Sequence, residues 1–168
     1  MHSVSIRPIN YGDTENIIKW RNSDYVRCHF IYQALFTKES HENWMKNMVE
    51  TGKVAQFIIL LDNEAVGSVY LRDIDKEEKS AEYGIFIGEE NARGKGVGTE
   101  SARLILKYAF EEAGLEHIFL RVFADNPGAI KSYEKAGFKR NGQIENVQIG
   151  DHLQEVIFMS LEKEDFEG

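Results

Sequence analysis

The sequence is short of several things, and each shortage excludes a class of protein. It has a single cysteine, Cys28, in 168 residues. One thiol rules out an internal disulfide framework and any multi-cysteine zinc or iron–sulfur site, and it makes the reducing cytoplasm the expected compartment. Proline occurs only at Pro8 and Pro127, so each marks a position rather than a Pro-rich linker. No apolar run approaches the ~18 residues of a membrane span; the longest is Phe57-Ile58-Ile59-Leu60-Leu61. Positive charge is also scarce: 20 Lys and Arg face 28 Asp and Glu, a net charge of -8. Such a balance argues against binding to nucleic acid backbones, which calls for a basic footprint. Five histidines show no metal-ligand spacing, so no metal is expected.

What is present is the makings of one mixed domain over residues 1–168. Apolar residues make up 42% and charged residues 29%, a globular composition, and helix and strand signals alternate at short intervals. The pattern predicts strands at Ser3–Arg7, Val54–Leu61, Ala65–Arg72, Ser80–Ile87, His117–Phe123, Phe138–Val147 and Leu153–Leu161. Asp13 is a candidate cap for a helix carrying Ile17, Ile18 and Trp20. Thr37 opens another, with His41, Trp44, Met45, Met48 and Val49 at helical spacing. A third carries Ala102, Ile105, Leu106, Ala109 and Phe110 and ends at Gly114. The order is β-α-α-β-β-β-α-β-α-β-β. Along Ser80–Ile87, Ala81, Tyr83, Ile85 and Ile87 share one face, and Glu82, Gly84 and Phe86 the other.

The turn Arg93-Gly94-Lys95-Gly96-Val97-Gly98-Thr99 joins a strand to a helix. Alternate glycines let backbone N–H groups converge, and the helix dipole adds partial positive charge, so a phosphate fits there. A P-loop would need G-x-x-x-x-G-K-[ST], and here Lys95 is followed by Gly96. A dinucleotide fingerprint would need a glycine where Thr99 stands. Downstream, Asn126 and Pro127 cap and open a helix that Gly137 closes. The segment Asn126-Pro127-Gly128-Ala129-Ile130-Lys131-Ser132-Tyr133-Glu134-Lys135-Ala136-Gly137-Phe138 completes a pair of motifs.

Together, Arg-x-x-Gly-x-Gly before a helix and N-x-x-A-x-x-x-Y-E-K-x-G-F resemble the GNAT N-acetyltransferases. Trp20-Arg21-Asn22 and Glu39-Ser40-His41-Glu42-Asn43-Trp44 are similar to the RimJ/RimL-like branch of that superfamily. The resemblance implies an α/β (α+β) fold: a mostly antiparallel central sheet flanked by helices. It also implies acetyl-CoA as co-substrate and direct transfer to a primary amine. Phe86 and Ile87 would lie along the pantetheine arm, and Arg93, Gly94, Lys95, Gly96, Val97, Gly98 and Thr99 would hold the pyrophosphate. Asn126 and Ala129, at the start of the next helix, would contact the far side of the cofactor. Tyr133 would be the general acid that protonates the departing thiolate.

The chemistry suits these roles. A tyrosine of ordinary pKa ≈ 10 is protonated at pH 7, and such acids contribute ~10²–10⁴-fold. Packing is the competing account of Tyr133, because it shares an apolar face with Ala129, Ile130 and Ala136. The acceptor amine must be neutral to attack. That costs about 4.6 kcal/mol for a lysine-like amine and about 1–1.4 for an α-amine. Glu82, on the face of Phe86, is the candidate base or water-holder, and a solvated strand glutamate is the alternative. His41 stands at core spacing and also near the acceptor side. Cys28 reads as a small buried hydrophobe. Lys131, Lys135, Lys139 and Arg140 form a basic cluster that either faces CoA phosphates or is solvated. The expected acceptor is a small-molecule amine, of amino sugar nucleotide or polyamine type. A protein N-terminus is the alternative, and a non-catalytic acyl-CoA-binding module is the alternative of another class. Strand pairing through the tail suggests a homodimer, with no nucleic acid or membrane partner.

Overall fold

A computed structural model describes residues 2–168. Its strands are β1 (Val4–Pro8), β2 (Ala55–Leu61), β3 (Glu64–Asp75), β4 (Ser80–Ile87), β5 (His117–Phe123), β6 (Lys139–Ile149) and β7 (His152–Glu162). They form one sheet in the order β1-β2-β3-β4-β5-β7-β6. Neighbours are antiparallel except β4 and β5, which run parallel. This is the expected mostly antiparallel sheet. Asp62 and Asn63, both at positive φ, make the two-residue hairpin turn between β2 and β3, so Glu64 belongs to β3 rather than to the loop.

Helices cover both faces. On one side lie α1 (Thr14–Asn22), α2 (Asp24–Arg27) and α3 (Lys38–Trp44), the last continued by a π-helical turn through Val49. On the other lie α4 (Val97–Lys107), also continued by a π-helical turn through Glu112, and α5 (Pro127–Lys135). The alternation along β4 sets this division. Ala81 and Tyr83 enter the large core under α4 with Ala102, Ile105 and Leu106, whereas Phe86 joins Ile17, Trp20, Val26, Met45 and Ile58 under α1–α3.

Three local expectations are corrected. Asp13 does not cap α1 with its side chain. Its carboxylate binds Arg7 at 2.7 and 2.9 Å and accepts from the Asn10 N–H at 2.9 Å, because a guanidinium within reach is the stronger partner. Cys28 is exposed, not buried: the short α2, which the pattern did not resolve, turns Val26 inward and leaves the thiol at its end. The tail strand expected at Phe138–Val147 begins one residue later and runs to Ile149, with Phe138 buried in the core.

Candidate active site

The parallel junction of β4 and β5 is brief. Register pairing covers Ser80–His117, Ala81–Ile118 and Glu82–Phe119, and then the strands part. Beyond Glu82, β4 remains bonded only to β3, and beyond Phe119, β5 only to β7. A wedge opens between them, widening into a cleft of about 1150 Å³ that runs through the sheet between α1–α3 and α4–α5. Every sequence-predicted site residue except Lys95 lines it.

One half of the cleft is mostly main chain. Gly94 and Gly96 have φ of +74° and +76°, and a Cβ on either would meet nothing within 4 Å. Their glycine character is therefore a matter of backbone conformation, not of room. Gly96 precedes α4 without a side-chain cap, so the first N–H groups of the helix stay available to an anion. Arg93 donates to the carbonyls of Ile87 and Gly88 at 3.2 and 3.3 Å and stacks on Tyr25 at 3.5 Å. It ties the glycine loop to the end of β4. Glu89 does similar work from the other side, accepting from the Trp20 indole at 2.5 Å and from Lys19 at 2.9 Å; those two bonds hold its carboxyl below the usual range. Of the basic cluster, Lys131 and Lys135 face the cleft and Lys139 and Arg140 do not. Asn126 caps α5, accepting from Ala129 N–H at 3.3 Å.

Tyr133 projects from α5 to the point where the strands part. Its ring meets Tyr83 edge-on at 5.9 Å and Phe138 at 6.2 Å. Burial, reinforced by the nearby Tyr70 phenol, pushes the Tyr133 hydroxyl up from its ordinary value, so it stays protonated at neutral pH. Packing and chemistry are compatible here: the ring is core while the residue borders the cleft.

The other half is built of side chains. Glu82 is buried, not a solvated strand glutamate. Its carboxylate accepts from Arg121 at 2.9 and 3.4 Å, and Arg72 is its register partner on β3. Tyr70 lies flat on its own register partner Gly84, so closely that a Cβ there would fall 2.4–2.5 Å from the phenol. Arg21 is buried under Phe30 at 3.6 Å and Phe36 at 4.5 Å. Asn22 pins that segment by bonding both the N–H and the carbonyl of Phe36. His41 is buried with Nδ1 3.1 Å from Thr14 Oγ1, and burial draws its imidazole down toward neutrality. Sequence reasoning missed Tyr70, Arg72 and Arg121. The available signal was a charge inside an otherwise apolar strand, Phe119-Leu120-Arg121-Val122-Phe123.

Against known families, residues 3–139 match the model of the acetyltransferase (GNAT) domain. The chain belongs to the GNAT acetyltransferases. Among curated relatives of this GNAT enzyme, spermidine N(1)-acetyltransferase of Escherichia coli K12 is 27% identical over 143 residues, 85% of this chain and 76% of the relative. Acetyltransferase PseH of Campylobacter jejuni is 29% identical over 130 residues, 77% and 79% of the two chains. Among solved structures, spermidine N-acetyltransferase from Vibrio cholerae, in complex with CoA and spermine, superposes with a TM-score of 0.89 over 96% of each chain at 24% identity. This chain is an acetyl-CoA-dependent N-acetyltransferase. The wedge between β4 and β5 and the uncapped start of α4 fit that co-substrate: unpaired strand backbone suits the pantetheine amides, and free helix N–H groups suit a pyrophosphate. Among the described residues no cluster of His, Cys, Asp and Glu is arranged to hold a metal, and no helix is long and apolar enough to cross a membrane.

Proposed function

We propose that this enzyme acetylates the primary amine of a small molecule, with Tyr133 as general acid and Glu82 holding the acceptor. The observation that carries this reading is the placement of Tyr133 and Glu82 on the two sides of one cleft at the parting of β4 and β5. Acetyl-CoA supplies an activated thioester and a thiolate leaving group. Phe86 and Ile87 offer strand backbone to its arm. Gly94, Gly96, Val97, Gly98 and Thr99 offer backbone N–H groups to its pyrophosphate, and Asn126 and Ala129 border its far side. Lys95 stands on the same turn, just outside the cleft lining, and adds positive charge beside that pyrophosphate.

The amine gives up its proton to Glu82, or to a water Glu82 holds, as its nitrogen bonds to the acetyl carbon, and Tyr133 delivers its proton to sulphur as the carbon–sulphur bond breaks. Glu82, with both oxygens on Arg121, retains lone pairs that can accept from the incoming amine or a water beside it. The positive neighbours Arg21, Arg72 and Arg121 disfavour an ammonium and so favour the neutral, nucleophilic amine.

The curated relatives named for spermidine support a polyamine acceptor among small-molecule amines. The run Trp20-Arg21-Asn22, with Trp20 buried and Asn22 bonded to Phe36, supports the resemblance to the RimJ/RimL-like branch. An exposed Cys28 thiol and the use of acetyl-CoA fit the reducing cytoplasm. The long edge strand β6, with Ile144 exposed, supports a homodimer built by strand pairing from single-domain subunits. Thiol release from acetyl-CoA across amino sugars, polyamines and a peptide N-terminus tests the function. Release above background with at least one small amine is expected. Release with the peptide alone would transfer the assignment to protein N-terminal acetylation, and release with none would leave a CoA-binding module.

A further inference from the structure

The cleft has an electrostatic character opposite to that of the molecule around it. The whole chain is acidic, at -8, yet Glu82 is the one carboxylate among the residues that line the cleft. Facing it are Arg21, Arg72 and Arg121 in the acceptor half, and Arg93, Lys131 and Lys135 in the cofactor half. The cofactor half has its own use for positive charge, in the phosphates of CoA. The acceptor half has no such use. Glu82 satisfies Arg121, which leaves Arg21 and Arg72 without a carboxylate inside the cleft.

Their hydrogen-bonding state says the same. Arg21 Nε and Arg72 Nε are buried with no hydrogen-bond partner. Arg21 donates through Nη2 to the Tyr32 carbonyl at 3.3 Å and lies close to the Tyr70 phenol, both neutral groups. Arg72 Nε lies 3.5 Å from the exposed carboxylate of Asp73, outside the cleft lining and without hydrogen-bond geometry. Burial, opposed by the Tyr70 phenol and reinforced by Arg72, draws the Arg21 guanidinium below its ordinary value. A buried guanidinium that is stacked and oriented, with its Nε unsatisfied and no carboxylate opposite it, is an incomplete interaction. Phe30 and Phe36 fix its plane, and a planar fork of fixed orientation matches carboxylate or phosphate oxygens. A polycation would meet the reverse of what it needs, because like charges brought close in a partly desolvated cleft repel one another.

We propose that Arg21 and Arg72 form an anion-recognition site in the acceptor half of the cleft, and that the amine acetylated there carries a phosphate or carboxylate group on the same molecule. The proposal rests on the acetyltransferase reading of the cleft and narrows its acceptor to an anionic amine. It sets this chain apart from relatives named for spermidine.

The test uses matched acceptors that differ only in the anion. Glucosamine is compared with glucosamine 1-phosphate, an amino acid with its amide, and spermidine serves as the polycation. In at least one pair the anionic member is expected to have the higher kcat/KM by tenfold or more, and the pair that responds identifies phosphate or carboxylate. Arg72→Gln is expected to lower that ratio at least tenfold. Arg21→Lys, which keeps the charge but not the planar fork, is expected to lower it as well. A kcat/KM for spermidine or the neutral members above both anionic ones overturns the proposal, as does a ratio that Arg72→Gln leaves unchanged. If no amine is turned over, the intact protein saturated with CoA is titrated calorimetrically with pyrophosphate and with malonate. Binding that Arg72→Gln weakens tenfold keeps the anion site while removing the acetyl-transfer reading. Absence of binding overturns the site too.

Discussion

The two halves of the cleft solve recognition in different materials. The cofactor half is backbone: two left-handed glycines, an uncapped helix start and an unpaired strand. Its side-chain bonds are structural: those of Arg93 and Glu89 brace the loop, and that of Asn126 caps α5. The acceptor half is side chain: Arg21, Tyr70, Arg72, Glu82 and Arg121 arrive from one helix and three strands. Backbone recognition tolerates surface change but not a change of φ. Side-chain recognition tolerates backbone adjustment but is retuned by a single substitution. A family can thus keep one donor while its members differ in acceptor.

Substitutions can break this contrast in order of expected effect. Tyr133→Phe removes the proposed acid at the meeting point of the halves. Its kcat is expected to fall by ~10²–10⁴-fold with acetyl-CoA KM held, as read by thiol release; an unchanged kcat would return Tyr133 to packing alone. Glu82→Gln leaves Arg121 without its carboxylate. Breaking a largely buried pair costs about 3 kcal/mol, so urea unfolding should report a loss of that order, with a raised KM for the amine and not for acetyl-CoA. Gly96→Ala forces a side chain to φ +76°, a strain of about 1–2 kcal/mol. It should raise KM for acetyl-CoA and spare the amine, the mirror image of the previous variant.

The smallest effect concerns pH. Burial holds the His41 imidazole below its ordinary value, against the pull of Asp13 and Glu42. The unfolded chain then binds the extra proton first as pH falls. The contribution of His41 to stability is complete above the ordinary histidine pKa near 6.5 and is lost as pH falls through its lower folded value. Thermal unfolding followed over that window should show a steeper decline for the parent protein than for His41→Gln.

The same contrast explains what was legible in the sequence. The glycine loop and the Asn126–Phe138 segment are contiguous, so their residues could be read together before any fold was known. The strands were legible too, because β4 is apolar on one face and mixed on the other. Arg21, Arg72 and Arg121 lie 51 and 49 residues apart in the chain, and only the register of β3, β4 and β5 brings the last two beside Glu82. Glu82 itself was placed on the correct face by alternation, but its bond to Arg121 depends on a parallel pairing that period-two reasoning does not reveal. Asp13 and Cys28 were misplaced for a related reason. Each depends on a neighbour, Arg7 for one and the turn of α2 for the other, that local propensity does not report.

The short junction of β4 and β5 also bears on how the protein unfolds. Three register pairs join the β1–β4 part of the sheet to the β5–β7 part, the shortest seam in the sheet. A ligand that bridges the seam and binds only the folded chain adds to its stability. At a hundredfold excess over Kd it would raise stability by about 2.7 kcal/mol. Hydrogen exchange along Tyr83–Ile87 would slow more than exchange in β2. An acetyl donor bound along Phe86 and Ile87 as proposed would then also splice the two part-sheets.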